Sequence, residues 1–481
     1  MSAAFSSARY LDACASSGLR LSAPMLRRFA THPEPLALVP GSAYPRVSIR
    51  DLSIDSTARV VKKGDLVEPA QLVDLENVGP WGAVFDVVEV SSIGSNRLLF
   101  GDCDVLTSKL RPYLGKTIHN AFPEGMGTTE WVPLKVDPER LRPRLLGYLL
   151  QSSHYSKMSA AFMAGKQHPR IAPEDILSLQ VPLPTPGEQD ALISVLDVLS
   201  AKCEGLQRAI GSELDLVDSF FERRFGLSVS KLEAEMERRQ RGLQVSRVAA
   251  NPDLRFSFKF HAPSVEFALG ALKALPHRRT GDFLSEEIVL GAGVSPSDYD
   301  EDGKRLYLSM ATIKSWEFDS SAANGVADAY FYSNANKSVR ADDLLMARSG
   351  EGTIGKVALV PAGVEGVCSD FTMRVRFDQK RCLPSFARFY FMSKYFQHAV
   401  YGEKKGLGNN TNIFPVQLRE LPFLDITVEE QTEAVKELAV LRDGHIREKL
   451  EIGKLRARME EALTLALLGK PYSQLAANAG P

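Results

Sequence analysis

Ile171-Ala-Pro173-Glu-Asp-Ile-Leu-Ser-Leu-Gln-Val-Pro182-Leu-Pro-Thr185-Pro186-Gly187-Glu188-Gln189 decides the fold, because the chain writes its frame twice. Ile171, Pro173, Thr185, Glu188 and Gln189 return 242 residues later as Ile413, Pro415, Thr427, Glu430 and Gln431. The same offset carries Tyr148 onto Tyr390 and Leu196 onto Leu438. In both copies the Glu-Gln pair opens a long, charged, helix-patterned stretch. Solenoid units run to ~20–50 residues, so a period this long marks a duplicated module instead. The module is a globular region followed by a long helix.

The hinge Pro182-Leu-Pro-Thr-Pro186 ends at a helix start, with Thr185 as cap, Pro186 in the first turn and Glu188 as the early acid. Apolar positions then fall at Leu192, Leu196, Leu199, Cys203, Leu206 and Ile210, in alternating steps of four and three. The seam shifts to Leu214 and runs on through Val217 and Phe221 to Gly226. The second seam reads Leu438, Leu441, His445, Glu448, Ile452, Leu455, Met459 and Leu463. Such spacing is the stripe by which one helix packs along another. The two helices are expected to pair antiparallel, since the chain must return between them. The polar His445 and Glu448 weaken the second seam as a pure coiled-coil stripe.

This gives an α+β fold with six expected segments. Residues 1–186 and 247–428 are mixed globular domains, 187–226 and 429–470 the long helices, 227–246 a linker or short helix, and 471–481 a tail. The opening of the second domain echoes the first, Arg20-Leu-Ser22 against Arg255-Phe-Ser257. Strands are expected at 83–90, 98–100, 105–109, 131–136, 176–182, 305–310, 329–332, 343–347, 356–360, 372–377 and 418–424. Helices are expected at 141–158 and 384–398.

At 481 residues the chain exceeds a single core, which rarely grows past ~250–300 residues. No apolar run is long enough for a membrane span, and the N-terminus lacks the apolar stretch of a secretory signal. Cys14, Cys103, Cys203, Cys368 and Cys382 stand far apart, which fits a reducing cytoplasm and no zinc site. The net charge of −1 is unevenly spread: 187–226 carries −4 and 429–470 carries −1, while each globular segment with its linker carries +2. The helices are acidic and the globular regions lean basic.

Enzyme motifs fail one by one. Gly350-Glu-Gly-Thr-Ile-Gly355-Lys356-Val357 matches a phosphate loop except at the final hydroxyl, and it runs into a strand pattern where phosphate binding needs a helix N-terminus. Gly291-Ala-Gly293 opens no helix, so no dinucleotide or S-adenosylmethionine site is expected there. Glu403-Lys404-Lys405 lacks the upstream Pro-Asp pair of a nuclease site. The histidines have no metal-ligand spacing.

Two matched sets of polar loops remain. Lys166, Gln167, His168 and Arg170 precede Ile171, and Lys404, Lys405, Asn409, Asn410 and Asn412 precede Ile413. Basic hairpins stand upstream, with Lys109, Arg111 and Lys116 in one half and Arg348 and Lys356 in the other. Lys and Arg suit phosphates and guanine edges, while Asn and Gln suit adenine. These residues are the candidate DNA contacts.

With these features the chain resembles the specificity subunits of type I restriction–modification systems. The resemblance rests on two variable domains, each ending in a strand, a Glu-Gln and a long helix (Pro186-Gly-Glu-Gln189, Glu429-Glu-Gln431), and on the hairpin from Asp343 to Lys356. It implies two target-recognition domains that each read half of a bipartite DNA site in a phage-defence complex. It further implies helices that space the halves and dock two methyltransferase subunits, with a restriction and translocation subunit joining them. S-adenosylmethionine, ATP and Mg²⁺ would belong to those partners, and this chain would bind no cofactor and catalyse nothing. Two other readings remain open: a specificity subunit of another defence or modification complex, and a coiled-coil scaffold that binds no DNA.

Overall fold

The computed structural model describes residues 34–65, 68–165, 168–238, 248–249, 256–350, 352–406 and 411–472. Cys14, the Arg20 and Arg255 echo, and the tail from Ser473 lie outside them. The chain divides into two compact units, Met1–Ala209 with Glu448–Pro481, and Ile210–Arg447.

Among the described residues unit 1 holds three sheets. Strand β1 (Arg46–Ser48) pairs antiparallel with β10 (Gln180–Pro182), so the hinge is stitched to the domain's beginning. A five-stranded sheet has the order β2-β5-β8-β3-β4, from Arg59–Val61, Ala70–Leu72, Val88–Val90, Arg97–Leu99 and Met126–Thr128 for β2, β3, β4, β5 and β8. A three-stranded sheet places β6 (Val105–Ser108) between β7 (Thr117–His119) and β9 (Trp131–Leu134). All four residues of β6 are buried, the mark of a strand covered on both faces. Helices α1 (Pro143–Gln151), α2 (Ser153–Phe162) and α3 (Pro173–Ser178) follow, and then α4 (Pro186–Ala209).

Unit 2 opens with α5 (Glu213–Phe225), α6 (Val229–Glu237) and α7 (Pro263–Ala274). Strand β11 (His277–Arg279) pairs with β21 (Pro422–Leu424), as β1 does with β10. A four-stranded sheet runs β12 (Val289–Leu290), β20 (Thr372–Val375), β17 (Leu344–Ala347), β18 (Val357–Leu359). A second runs β16 (Asn324–Val326), β13 (Arg305–Leu308), β19 (Gly366–Cys368), and β14 (Ile313–Lys314) forms a small hairpin with β15 (Glu317–Phe318). Helices α8 (Pro384–Met392), α9 (Lys394–Glu403), α10 (Pro415–Glu420) and α11 (Val428–Leu467) complete the chain. The core is aromatic: Phe386, Tyr390, Phe391, Phe396 and Phe423 are fully buried, with Phe221 of α5 and Leu438 of α11 in the same cluster. Tyr390 meets Phe423 at 4.8 Å between ring centroids. Each such side chain contributes roughly 1.5–3 kcal/mol on burial.

The repeat is a repeat of bonds. The buried amide of Gln189 accepts from Arg142 N at 2.8 Å and donates to the carbonyls of Arg140 and Pro184, both at 2.9 Å. Gln431 accepts from Leu383 N at 2.8 Å and donates to the carbonyls of Arg381 and Ile426, both at 3.0 Å. Each glutamine thus clasps the segment before the paired helices to the start of a long helix. A second pair is just as close. Ser153 N, at the start of α2, donates to Glu460 at 2.5 Å, and Lys394 N, at the start of α9, donates to Asp218 at 2.7 Å. Asp218 and Glu460 are themselves 242 positions apart.

Several expectations are corrected. The first long helix is broken at residues 210–212, where Ser212 and Asp215 form a capping box that starts α5 afresh. The second is continuous for 40 residues. Helices expected at 141–158 and 384–398 are each two, because Ser152 and Ser393 cap a new helix in mid-stretch. Those caps are 241 residues apart, so Tyr148 corresponds to Phe389, not to Tyr390. The two tyrosines act differently: Tyr148 donates to Asp197 at 2.6 Å, Tyr390 to the Pro422 carbonyl at 2.7 Å. The expected strands 176–182 and 418–424 begin inside α3 and α10, which Pro173 and Pro415 start, and only their last three residues are strand. Residues 329–332 lie in a short helix, Asp328–Ser333, instead of a strand. The strand expected at 83–90 is reduced to β4.

Within each unit the long helices run antiparallel. In unit 2 Arg442 pairs with Glu213 at 2.8 Å, Arg223 with Glu437, and Arg224 with Glu433, so numbers rise on one helix as they fall on the other. In unit 1 Cys203 lies near Arg456 and Glu188 near Tyr472, so the order is again reversed. Of the seam residues, Leu192, Leu196, Leu199, Leu438, Ile452, Leu455 and Met459 are buried, and Leu206, Ile210 and Leu441 are half-buried. His445 is buried and Glu448 exposed.

Candidate nucleic-acid interface

In unit 1 the two candidate loops meet at the exit of β6. The segment from Ala164 to Arg170 closes on itself through two backbone bonds of 2.8 Å between those residues. It is fastened to the hairpin by Arg111 N to the Pro169 carbonyl at 2.7 Å and Ile171 N to the Lys109 carbonyl at 3.0 Å. Unit 2 repeats this at the exit of β17. Lys405 and Asn412 exchange backbone bonds of 2.7 and 2.8 Å, and Ile413 N donates to the Arg348 carbonyl at 2.9 Å. Lys109 and Arg348 therefore hold one position. So do Lys116 and Lys356, whose carbonyls accept from Ser108 N and Ala347 N, each at 2.9 Å. Arg170 and Asn412 are the third matched pair. In each unit the two described loop segments are brought together across more than fifty positions of sequence.

Their side chains fare differently. Arg111, with a left-handed φ of 47°, and His168 are exposed. Arg170 is spent on Glu130, with both Nε and Nη2 within 3.1 Å of the carboxylate. The Lys116 amine donates to the Leu75 carbonyl at 2.5 Å, and burial lowers its pKa. Lys404 is buried, its amine 4.6 Å from the centre of the Tyr401 ring, while Lys405 is exposed. Lys109 and Lys356 are half-buried. Lys166, Gln167, Asn409 and Asn410 lie outside the described residues.

Arg348 is held by a ring and an amide. Its guanidinium lies 5.1 Å from the centre of the Phe414 ring, and Nη2 donates to Asn412 Oδ1 at 3.3 Å. Phe371, whose carbonyl accepts from Arg348 N at 3.0 Å, is 49% exposed. Phe371, Phe414 and Glu130 were not singled out from sequence. A lone aromatic or acid in a loop carries no local signal, and only the contact with an interface residue identifies them.

The phosphate-loop resemblance dissolves into a turn. Gly350, Gly352 and Gly355 all have positive φ, and Lys356 leads straight into β18. The turn must also pass the Gln397 amide, 2.8 Å from where a side chain at Gly355 would stand. Among the described residues no group of His, Cys, Asp or Glu is arranged to hold a metal ion. Cys103, Cys203, Cys368 and Cys382 are buried free thiols. No helix among the described residues is long and apolar enough to cross a membrane.

No family model and no curated protein matches the chain. Solved structures do. A chain from a study of assembly and conformational transition in a type I R-M system is 13% identical, with 90% of this chain and 99% of that one covered and a TM-score of 0.42. The HsdS subunit of Thermoanaerobacter tengcongensis is 15% identical, with 90% and 98% covered and a TM-score of 0.34. The S subunit of the type I system of M. genitalium is 14% identical, with 89% and 96% covered and a TM-score of 0.42. Likeness at this level names no DNA-reading residue.

Proposed function

We propose that this chain is the DNA-recognition subunit of a type I restriction–modification complex, with each globular region reading one half of a bipartite site. The observation that carries the reading is a loop pair built twice on one backbone frame with unlike side chains. Arg111 and His168 are exposed in unit 1, whereas in unit 2 Arg348 stands on the Phe414 ring and donates to Asn412. A duplicated enzyme would repeat its reactive groups. A reader of two different half-sites repeats the frame and changes the contacts, because base edges set specificity and phosphate contacts set register.

The division of labour follows. This chain places hydrogen-bond donors against base edges, and its long helices set the gap between half-sites and dock two methyltransferase subunits. Those subunits bring S-adenosylmethionine to the target adenine. A restriction and translocation subunit uses ATP and Mg²⁺.

Co-expression with the cognate methyltransferase, followed by methylome sequencing, tests this. The expected result is a bipartite motif of two unlike half-sites with a fixed, sequence-neutral gap. A continuous palindrome, or no modification, would sink the proposal.

A further inference from the structure

The matched positions of the two interfaces differ in one respect that bears on what each can read. In unit 2, Arg348 rests on Phe414 and donates to Asn412, and it forms no ion pair among the described residues. In unit 1 the position of Arg348 is Lys109, that of Asn412 is Arg170, that of Phe371 is Glu130 and that of Phe414 is Ala172. The arginine there pairs with Glu130, and among the described residues no ring is placed over the lysine.

We propose that Arg348 reads a guanine in the half-site of unit 2, and that Phe414 and Asn412 are positioning residues that hold its guanidinium for that contact. The proposal rests on the DNA-recognition reading above. A guanidinium is a planar fork that matches the O6 and N7 acceptors of guanine in the major groove, which a lysine amine meets only as a point charge. Among the described residues Nη1 has no hydrogen-bond partner and Nη2 has only Asn412, while Nε is buried without one. The fork therefore has two donors to present. Stacking on a ring and bonding to an amide fix the plane before DNA arrives, so less side-chain entropy is lost on binding. A phosphate needs no such orientation.

The test uses the full chain in complex with its methyltransferase. Wild type, Arg348→Met and Phe414→Leu are compared by methylome sequencing and by affinity for duplexes altered one base pair at a time. Wild type is expected to lose on the order of 10–100-fold in affinity when one G·C pair of the second half-site is replaced. Arg348→Met should accept any base at that position, with the first half-site, the gap and the other bases unchanged. Phe414→Leu should relax the same position to a smaller degree. An unchanged motif in Arg348→Met overturns the assignment. So does an even loss of affinity on every duplex, which marks a phosphate contact. Failure of wild type to give a bipartite motif would instead overturn the function proposed above, so the two failures are told apart.

Discussion

Asp218 is a carboxylate with an unusual task. It lies 9% exposed between α5 and the start of α9, where it accepts from Lys394 N. An acid at a helix N-terminus is ordinarily favourable, but here burial outweighs that bond and pushes the pKa up to about 6. A carboxyl whose pKa is raised on folding binds its proton more tightly in the folded state. Its contribution is therefore greatest at low pH and is lost as pH rises from about 4 through about 6. Asp218→Asn keeps an acceptor for Lys394 N and removes the titration. The variant should gain roughly 1–3 kcal/mol relative to wild type on going from pH 4.5 to pH 7.5. Urea unfolding at the two pH values measures it, and a pH-independent difference would count against this account. His119 of unit 1 runs the other way. Burial lowers its pKa to about 4, so its contribution is present above the ordinary histidine range and is lost on acidification.

At the scale of elements, the decisive feature is where the first long helix stops. Heptad spacing carries the apolar stripe past Ile210 with a shift of four, and periodicity alone reads it as continuous. The Ser212–Asp215 capping box instead starts a new helix, with Ser212 N donating to Asp215 at 2.5 Å and Asp215 N to Ser212 Oγ at 3.1 Å. The restart brings Phe220 and Phe221 into the aromatic core of unit 2. Ser212→Ala should cost about 1 kcal/mol in urea unfolding, and no loss would mean that core packing alone sets the restart. The same core is fastened from another side. Arg388, buried in α8, pairs with Glu317 of the β14–β15 hairpin, and Glu317 also pairs with Arg442 of α11. Sequence could not place these contacts, since the partners are 71 and 125 positions apart.

At the scale of the whole molecule, one long helix contributes to both compact units, with Val428–Leu467 crossing the boundary between Arg447 and Glu448. On the proposed function such a helix is a spacer. Removing one heptad from α4 and one from the facing part of α11 shortens the helices by about 10 Å, at 1.5 Å per residue. The methylated motif should then keep both half-site sequences and change only the gap between them. Altered half-site sequences would show that the helices do more than set distance.

Much of this frame was legible before any coordinates. The Thr-x-x-Glu-Gln helix starts, the proline-opened turns, the seam of leucines and the failed phosphate loop are encoded within a few residues of one another. Capping, helical period and φ restriction act over that range, so sequence alone determines them. The duplication was equally plain, because it is a property of the string. Tertiary structure decided the rest. It set the register of 241 that matches Tyr148 to Phe389, the bond of Lys116 to the Leu75 carbonyl, the burial of Lys404, and the loss of Arg170 to Glu130. It also placed Arg348 on Phe414. Each of these depends on which side chains meet after the chain has folded back on itself. Whether a cation is free, buried or neutralised is a property of its neighbours, and local sequence does not choose them.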